Sequence, residues 1–553
     1  MRYGNYNLKV GDRDSTLTFG GSVRAAADGD LVPMEGEIGF VEQLQTDLAE
    51  LGFKLVGTPD GIFGRNTLFA LREFQIYCQM PHIAQQRTSS IRYSDSLTQV
   101  ENPHRYGGPI SGVANADTRL QLANWIDHSF RCPLVIECWS MDGDDRKKLY
   151  AGSGNIYAQA SQNLWGHGEI PESTPRMFAR DFSGYYKVPA AHTADELSAL
   201  GDHWTLNATS GPRSVAPRHT WTESEILPST LIGTPFASMS AKQRSTFKVV
   251  RAVSEVECVG FFDSLNAYDT AILSLGPCHW TFGITSADGS VAEGELCAFM
   301  SYVRHADPQA FESVFGFFGA SIDEDWTNAN GVANGDALWQ PSLRKYTGWL
   351  SQQNDAGEFV RVNPAIDDAN YFKHWHWFYR LSMAGRTNAG FRKCMYDFAR
   401  VRIRDILTAK FGATAGLPAG TTLGDVYTSE RAAALLLRWH VRYPARVIIR
   451  GNVTNVFNGS DIGVVETAFK NAGLSGEPTT WTDVDEEALV DGLVQEVERL
   501  GNIGFRDTID YVNRWPDSWG SNYRHYQLPE SIGRLSTERG SFQFDEQGLP
   551  IAP

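Results

Sequence analysis

The sequence predicts a mainly α protein, built as a small three-helix module followed by a large α+β domain. Three observations carry this expectation. Val41, Leu44, Leu48 and Leu51, then Leu68, Leu71 and Phe74, recur with the spacing of two short amphipathic helices. A longer helix over 241–257 runs into a turn with Gly, Asn and Asp and then a segment rich in hydroxyl and aromatic groups, as expected of a helix that opens a small β region. From residue 306 onward amphipathic helical stretches predominate, at 370–382, 390–411 and 429–443. At roughly 100–200 residues per domain, a chain of 553 residues holds several such units. The expected division is 1–37 as a lead-in, 38–130 as the small module with an insertion, 131–240 as an intermediate region or linker, and 241–553 as the large domain with a helical extension.

In chain order, residues 1–37 are Gly- and Asp-rich and polar, an irregular lead-in or small β element. The first helix of the module stops at Gly52, as a helix stops at a C-terminal glycine. The turn TPDGIFG follows, with Asp60-Gly61 and Gly64 supplying positions where the backbone must reverse, and Asn66 or Thr67 capping the second helix. A polar insertion over 85–108 precedes a third capped helix within 112–126.

Leu44-Gln45, Leu51-Gly52, Asp60-Gly61-Ile62-Phe63-Gly64, Thr67 and Phe74-Gln75 together resemble the type 1 peptidoglycan-binding domain, over about 35 residues. The resemblance implies binding of bacterial peptidoglycan, through its glycan or its stem peptide. It makes Asp60, Phe63 and Thr67 candidate substrate contacts and implies no catalysis by the module itself.

Residues 132–140 read as a strand, and 190–240 as a long connecting segment rich in Ser, Thr, Pro and His. His167, Glu169, Glu172, Arg180 and Asp181 cluster in sequence, but their spacing fits no standard ligand pattern, so a surface loop is the plainer reading.

The helix over 241–257 carries two glutamates that its phase separates. At 100° per residue, Val250 and Val253 lie within about 40° of Glu257, whereas Glu255 falls beside Lys248 and Arg251. Glu255 is therefore expected on a solvated, charged face, and Glu257 on an apolar one. Apolar surroundings raise a carboxyl toward a pKa of about 6, which suits a general acid that protonates a glycosidic oxygen.

Glu257 at the end of an apolar helix, Asn266-Ala267-Tyr268-Asp269, and Ser274-Leu275-Gly276 running into Cys278-His279-Trp280 resemble the lysozyme-like superfamily of goose-type lysozymes, lytic transglycosylases and chitosanases. The resemblance covers about 40 residues. It departs where transglycosylases often carry Gly-Leu-Met-Gln and this chain has Gly-Pro-Cys-His, which puts His279 near that glutamine's position. It implies a sugar cleft with Tyr268, Ser274, His279 and Trp280 as substrate contacts and Glu257 as the acid. Asp269 is the preferred second carboxylate, Asp263 is read as a cap or turn residue, and Glu255 is kept as a lesser catalytic candidate. A second carboxylate facing Glu257 at about 6.5–9.5 Å implies inversion, and one at about 5 Å implies retention. With none, a single Glu acts as acid and then base, as in lytic transglycosylases.

Composition narrows the alternatives. The formal charge of −16 and the lack of a basic run argue against nucleic acid. No apolar run approaches the roughly 18 residues of a membrane span. The seven cysteines form no CxxC pair, and no His/Cys cluster has zinc-site spacing, so neither a metal nor a cofactor is expected. His374 and His376 cannot share a helix face, which argues against a two-His metal site there. No signal peptide is legible at the N-terminus, so the expectation is synthesis in a cytoplasm and delivery to the wall by a holin, a phage particle or a secretion system.

The combined expectation is a muramidase that cuts the β-1,4 bond between N-acetylmuramic acid and N-acetylglucosamine. The alternatives are a lytic transglycosylase, an amidase, for which no zinc or Cys–His pattern is evident, and a non-catalytic wall-binding structural protein.

Overall fold

The computed structural model describes residues 6–17, 23–25, 31–33, 38–56, 58–86, 97–132, 135–142, 145–150, 176–180, 226–258, 260–263, 265–266, 271–285, 291–323, 349–354, 357–362, 375–448, 462–500, 528 and 531–549. Among these, helices dominate, with small antiparallel sheets between them, including β1 (Val23–Ala25) paired with β2 (Leu31–Pro33) and β6 (Val135–Asp142) flanked by β7 (Asp145–Tyr150) and β8 (Arg176–Arg180).

The N-terminal module is built on α1 (Phe40–Glu50), α2 (Arg65–Cys78) and α3 (Ala116–Asp127). Its core joins Phe53, Phe74 and Tyr77 around the ring of Trp125, with Phe53 and Phe74 meeting edge to face at 5.4 Å. α1 ends because Gly52 takes φ +95°, a conformation glycine adopts at little cost. Residues of the expected lead-in pack onto this module. The Asp14 carboxylate accepts the backbone N–H groups of Val41 and Glu42 at 2.8 and 2.9 Å, so a residue 27 positions upstream satisfies the first turn of α1. The insertion contributes β4 (Leu97–Glu101) to a three-stranded sheet in the order β4, β3 (His82–Gln86), β5 (Phe130–Arg131), the last of which follows α3. It returns the chain to α3, which Asn115 caps through Thr118 N–H.

The larger body is organised on α4 (Ala241–Glu257). Ser240 and Gln243 form a reciprocal capping box at its start. A meander of β9 (Leu265–Asn266), β10 (Ala271–Leu275), β11 (Trp280–Thr285) and β12 (Val291–Glu293) follows, each strand antiparallel to the next. The chain then enters α5 (Leu296–Ala306) and α6 (Pro308–Val314). Later come α7 (Trp375–Thr387), α8 (Ala389–Thr408), α9 (Glu430–Arg442), α10 (Val465–Asn471) and α11 (Asp483–Arg499). The expected helices at 370–382, 390–411 and 429–443 are thus present with edges shifted by a few residues, and 411–424 is largely loop as read.

The module is docked on this body through α2. Phe69 meets Phe318 at 5.3 Å, the Arg72 guanidinium lies over Phe317, and Glu73 pairs with Arg380 of α7 inside the seam.

The C-terminal segment over 531–549 straps the body together. Gln543 N–H and Asp545 N–H donate to the hydroxyls of Ser245 and Thr246 on α4 at 3.1 and 2.7 Å. Arg539 binds Glu486 at 2.6 Å and the carbonyls of Val426 and Pro478 at 2.8 Å each. Hydrogen bonds to charged groups are worth about 1.5–3 kcal/mol each, so Arg539→Ala is expected to lower stability by about 2 kcal/mol or more. Urea titration of wild type and variant checks this, and an unchanged midpoint would show that the strap is dispensable.

Candidate functional site

Glu257 is the last residue of α4, and an imidazole and a guanidinium meet it. His279, in the turn between β10 and β11, brings Nδ1 to 3.0 Å from one carboxylate oxygen. Arg438 of α9 pairs with the other. The exposures of the three side chains are 6% for Glu257, 11% for Arg438 and 15% for His279, so the carboxylate is buried while its two partners are partly exposed. His279 holds φ +48°, a left-handed conformation that a residue with a Cβ adopts at a cost. The neighbouring Gly276, at φ +77°, makes the turn that presents it.

The surroundings of Glu257 differ from the sequence expectation. The helical phase predicts an apolar face, yet the carboxylate lies between Arg438 and His279, and the charge of Arg438 favours the ionised form. Sequence reading missed Arg438. The available signal was a guanidinium inside the apolar run Leu435-Leu436-Leu437-Arg438-Trp439, where a charge needs a partner.

Beneath this group lies a second, fully engaged network. Arg402 of α8 donates to both oxygens of Glu295 at 2.8 and 3.1 Å, to His440 Nδ1 at 2.7 Å and to the His440 carbonyl at 2.7 Å. His440 stands two residues from Arg438 on α9, so this network fixes the backbone from which Arg438 reaches Glu257.

Several expected site residues have other roles. Glu255 is not on a solvated face. It is 1% exposed and ion-paired with the equally buried Arg251. The expectation failed because α4 is packed on nearly all sides in its second half, so it has no charged face there. Gly260, at φ +76°, sits where any Cβ would overlap the Arg251 guanidinium. Asp263 lies in a turn as expected, but its carboxylate is buried against Arg386 at 2.9 Å. Trp280 is not an open sugar platform. Its ring is buried and stacked on Phe299 at 4.6 Å, because β11 turns it into the core. Ser274 is likewise buried on β10. Tyr268 and Asp269 lie outside the described residues, as do His167, Glu169, Glu172, Asp181 and His374.

In the module the signature residues hold the turn together. The side-chain carbonyl of Gln45 accepts the N–H groups of Asp60 and Gly61, both at 2.9 Å. Its amide nitrogen lies 2.8 Å from Asp60 Oδ1 and 2.9 Å from Thr67 Oγ1. Gln75 does the same for the approach to α3, accepting Gly112 N–H at 2.8 Å and donating to Thr118 at 3.0 Å. Phe63 and Thr67 are buried, so both build the module instead of presenting their side chains to a ligand. Asp60 is exposed and is the one of the three open to solvent.

Cys258 and Cys278 flank the site, and burial pushes both thiols up to about 12. Neither is expected to react with iodoacetamide at pH 8 in the folded protein, because the thiolate is the nucleophile. Peptide mass mapping before and after denaturation checks this, and labelling of either in the native state would contradict the packing. Among the described residues no group of three or more His, Cys, Asp or Glu could hold a metal ion, and no helix is long and apolar enough to cross a membrane.

Residues 39–81 match the family model of peptidoglycan binding domains, which associates this chain with the bacterial cell wall. No curated protein and no solved structure matches the chain significantly.

Proposed function

We propose that the protein is a peptidoglycan-cleaving glycosidase that cuts the β-1,4 bond between N-acetylmuramic acid and N-acetylglucosamine, with Glu257 as the proton donor. The observation that carries this reading is Glu257 itself. A buried carboxylate ends the central helix and faces the β10–β11 turn through the partly exposed His279, in a chain that also bears a peptidoglycan-binding module. The left-handed backbone of His279 supports it, since strain of this kind gathers at functional sites. The catalytic unit in this reading is 241–553, and the docked module at 38–130 holds the polymer near it. A holin, a phage particle or a secretion system would bring the enzyme to the wall.

A second reading, lytic transglycosylase chemistry, draws on a specific observation. Glu255 and Asp263, the nearest carboxylates in sequence among the described residues, are committed to Arg251 and Arg386. Glu257 then acts alone, first protonating the leaving oxygen and then accepting the proton of the 6-hydroxyl that closes the anhydro ring. Digestion of purified peptidoglycan by wild type and Glu257→Gln tests the assignment, because loss of soluble products in the variant is expected and undiminished release would sink it.

A further inference from the structure

Arg438 pairs with one oxygen of Glu257 and the His279 imidazole stands 3.0 Å from the other, whereas a general acid needs a proton there. The group that holds it most strongly is Arg438, whose planar fork suits carboxylates and whose charge does not titrate in this range. We propose that Arg438 is the receptor for a carboxylate of the muramyl residue, and that binding this carboxylate releases Glu257 for proton transfer. The proposal rests on the glycosidase reading of Glu257 and adds to it a specificity-determining residue.

The geometry supports an exchange of partners. Glu257 is buried but the Arg438 side chain is partly exposed, so an anion can approach the guanidinium without unpacking the core. The Arg402, Glu295 and His440 network anchors α9 just beneath, which lets the Arg438 side chain change partner while its backbone stays in place. The charges also balance. At rest, Arg438 is neutralised by ionised Glu257. With substrate, it is neutralised by the substrate's carboxylate, and Glu257 takes a proton from solvent and keeps His279 as its remaining neighbour.

The chemistry names the ligand class. In the wall polymer only the muramyl residue carries a carboxylate, either on its lactyl group or on the stem peptide attached there. N-acetylglucosamine has none. Arg438 therefore distinguishes muramyl glycan from chitin, whose β-1,4 linkage is otherwise the same.

The test compares kcat/KM on three polymers: peptide-bearing peptidoglycan, the same chains freed of stem peptides so that the lactyl carboxylate is open, and chitohexaose. Wild type is expected to favour at least one muramyl polymer over chitohexaose by roughly 10-fold or more, the scale of one charge-assisted hydrogen bond. The preferred muramyl polymer identifies which carboxylate is read. Arg438→Gln should lose most of this preference, and Arg438→Lys, which keeps the charge without the fork, should retain part of it. Equal cleavage of chitohexaose by wild type, or full preference in folded Arg438→Gln, would overturn the proposal.

A binding arm separates its failure from that of the glycosidase reading. Glu257→Gln leaves Arg438 without its resting anion, so it should bind N-acetylmuramic acid or muramyl dipeptide more tightly than wild type does. The double variant with Arg438→Gln should lose that gain, and N-acetylglucosamine should show none. If wild type cuts no polymer but this Arg438-dependent binding is present, the glycosidase reading fails and the carboxylate receptor stands. If the Arg438-dependent gain is absent, the receptor fails.

Discussion

Glu73→Ala is expected to lower stability by about 3–5 kcal/mol, the scale of removing one partner of a buried ion pair. Glu73 lies on α2 of the N-terminal module and is fully buried against Arg380 of α7, which is itself buried and also stacks over the Phe318 ring at 4.4 Å. Burial raises the Glu73 carboxyl above its ordinary range despite the attraction of Arg380, so desolvation is the larger effect at this seam. Removing the carboxylate leaves the Arg380 guanidinium in the interior with its principal anion gone. The double replacement Glu73→Leu with Arg380→Met should recover much of the loss, because an apolar pair of similar volume carries no desolvation cost. Chemical denaturation of the wild type, the single variant and the double variant checks both statements. A single variant within about 0.5 kcal/mol of wild type, the range of ordinary surface substitutions, would mean that the module is not sealed to the body in this way.

Glu257→Gln is expected to reduce the rate of wall cleavage by about 10²–10⁴-fold, the range attributed to a positioned general acid. The replacement keeps the shape of the side chain and its hydrogen-bond capacity toward His279, but it cannot deliver a proton to the leaving oxygen. Its effect on folding should be small beside its effect on rate, because Arg438 reaches solvent and is not stranded in the interior. Binding of intact peptidoglycan through the N-terminal module should persist in the variant, since α2 and the Gln45-centred turn lie in a separately built unit. Pull-down of the variant with insoluble peptidoglycan, beside a turbidity assay of cleavage, checks the two together.

Much of the helical architecture was legible because local chemistry and packing agree. The helix expected over 241–257 is capped by Ser240 and Gln243 at that start, and Gly52 ends α1 where a left-handed residue is needed. The peptidoglycan-binding signature was legible for a related reason. Gln45, Thr67 and Gln75 are polar residues that must be buried and mutually satisfied, and such residues stand out in a short helical pair.

Burial by distant segments was not legible. The phase of α4 separates an apolar side from a charged one only if one side faces water. The second half of α4 is packed on nearly all sides, so Glu255 and Arg251 became an internal pair. Arg438 stands 181 positions from Glu257, and local spacing carries no sign of which charge it will meet. Trp280 shows the same limit, because the sequence gives an aromatic in a turn-and-strand segment but not which way the strand faces.

The most direct measurement is mass spectrometry of the soluble products that wild type releases from purified peptidoglycan, with Glu257→Gln run in parallel. The expected products are glycan fragments ending in N-acetylmuramic acid, in reducing form for a hydrolase or in 1,6-anhydro form for a transglycosylase, and they should be lost in the variant. Fragments ending in reducing N-acetylglucosamine, free stem peptides from an amidase, or no soluble products at all from wild type would contradict it.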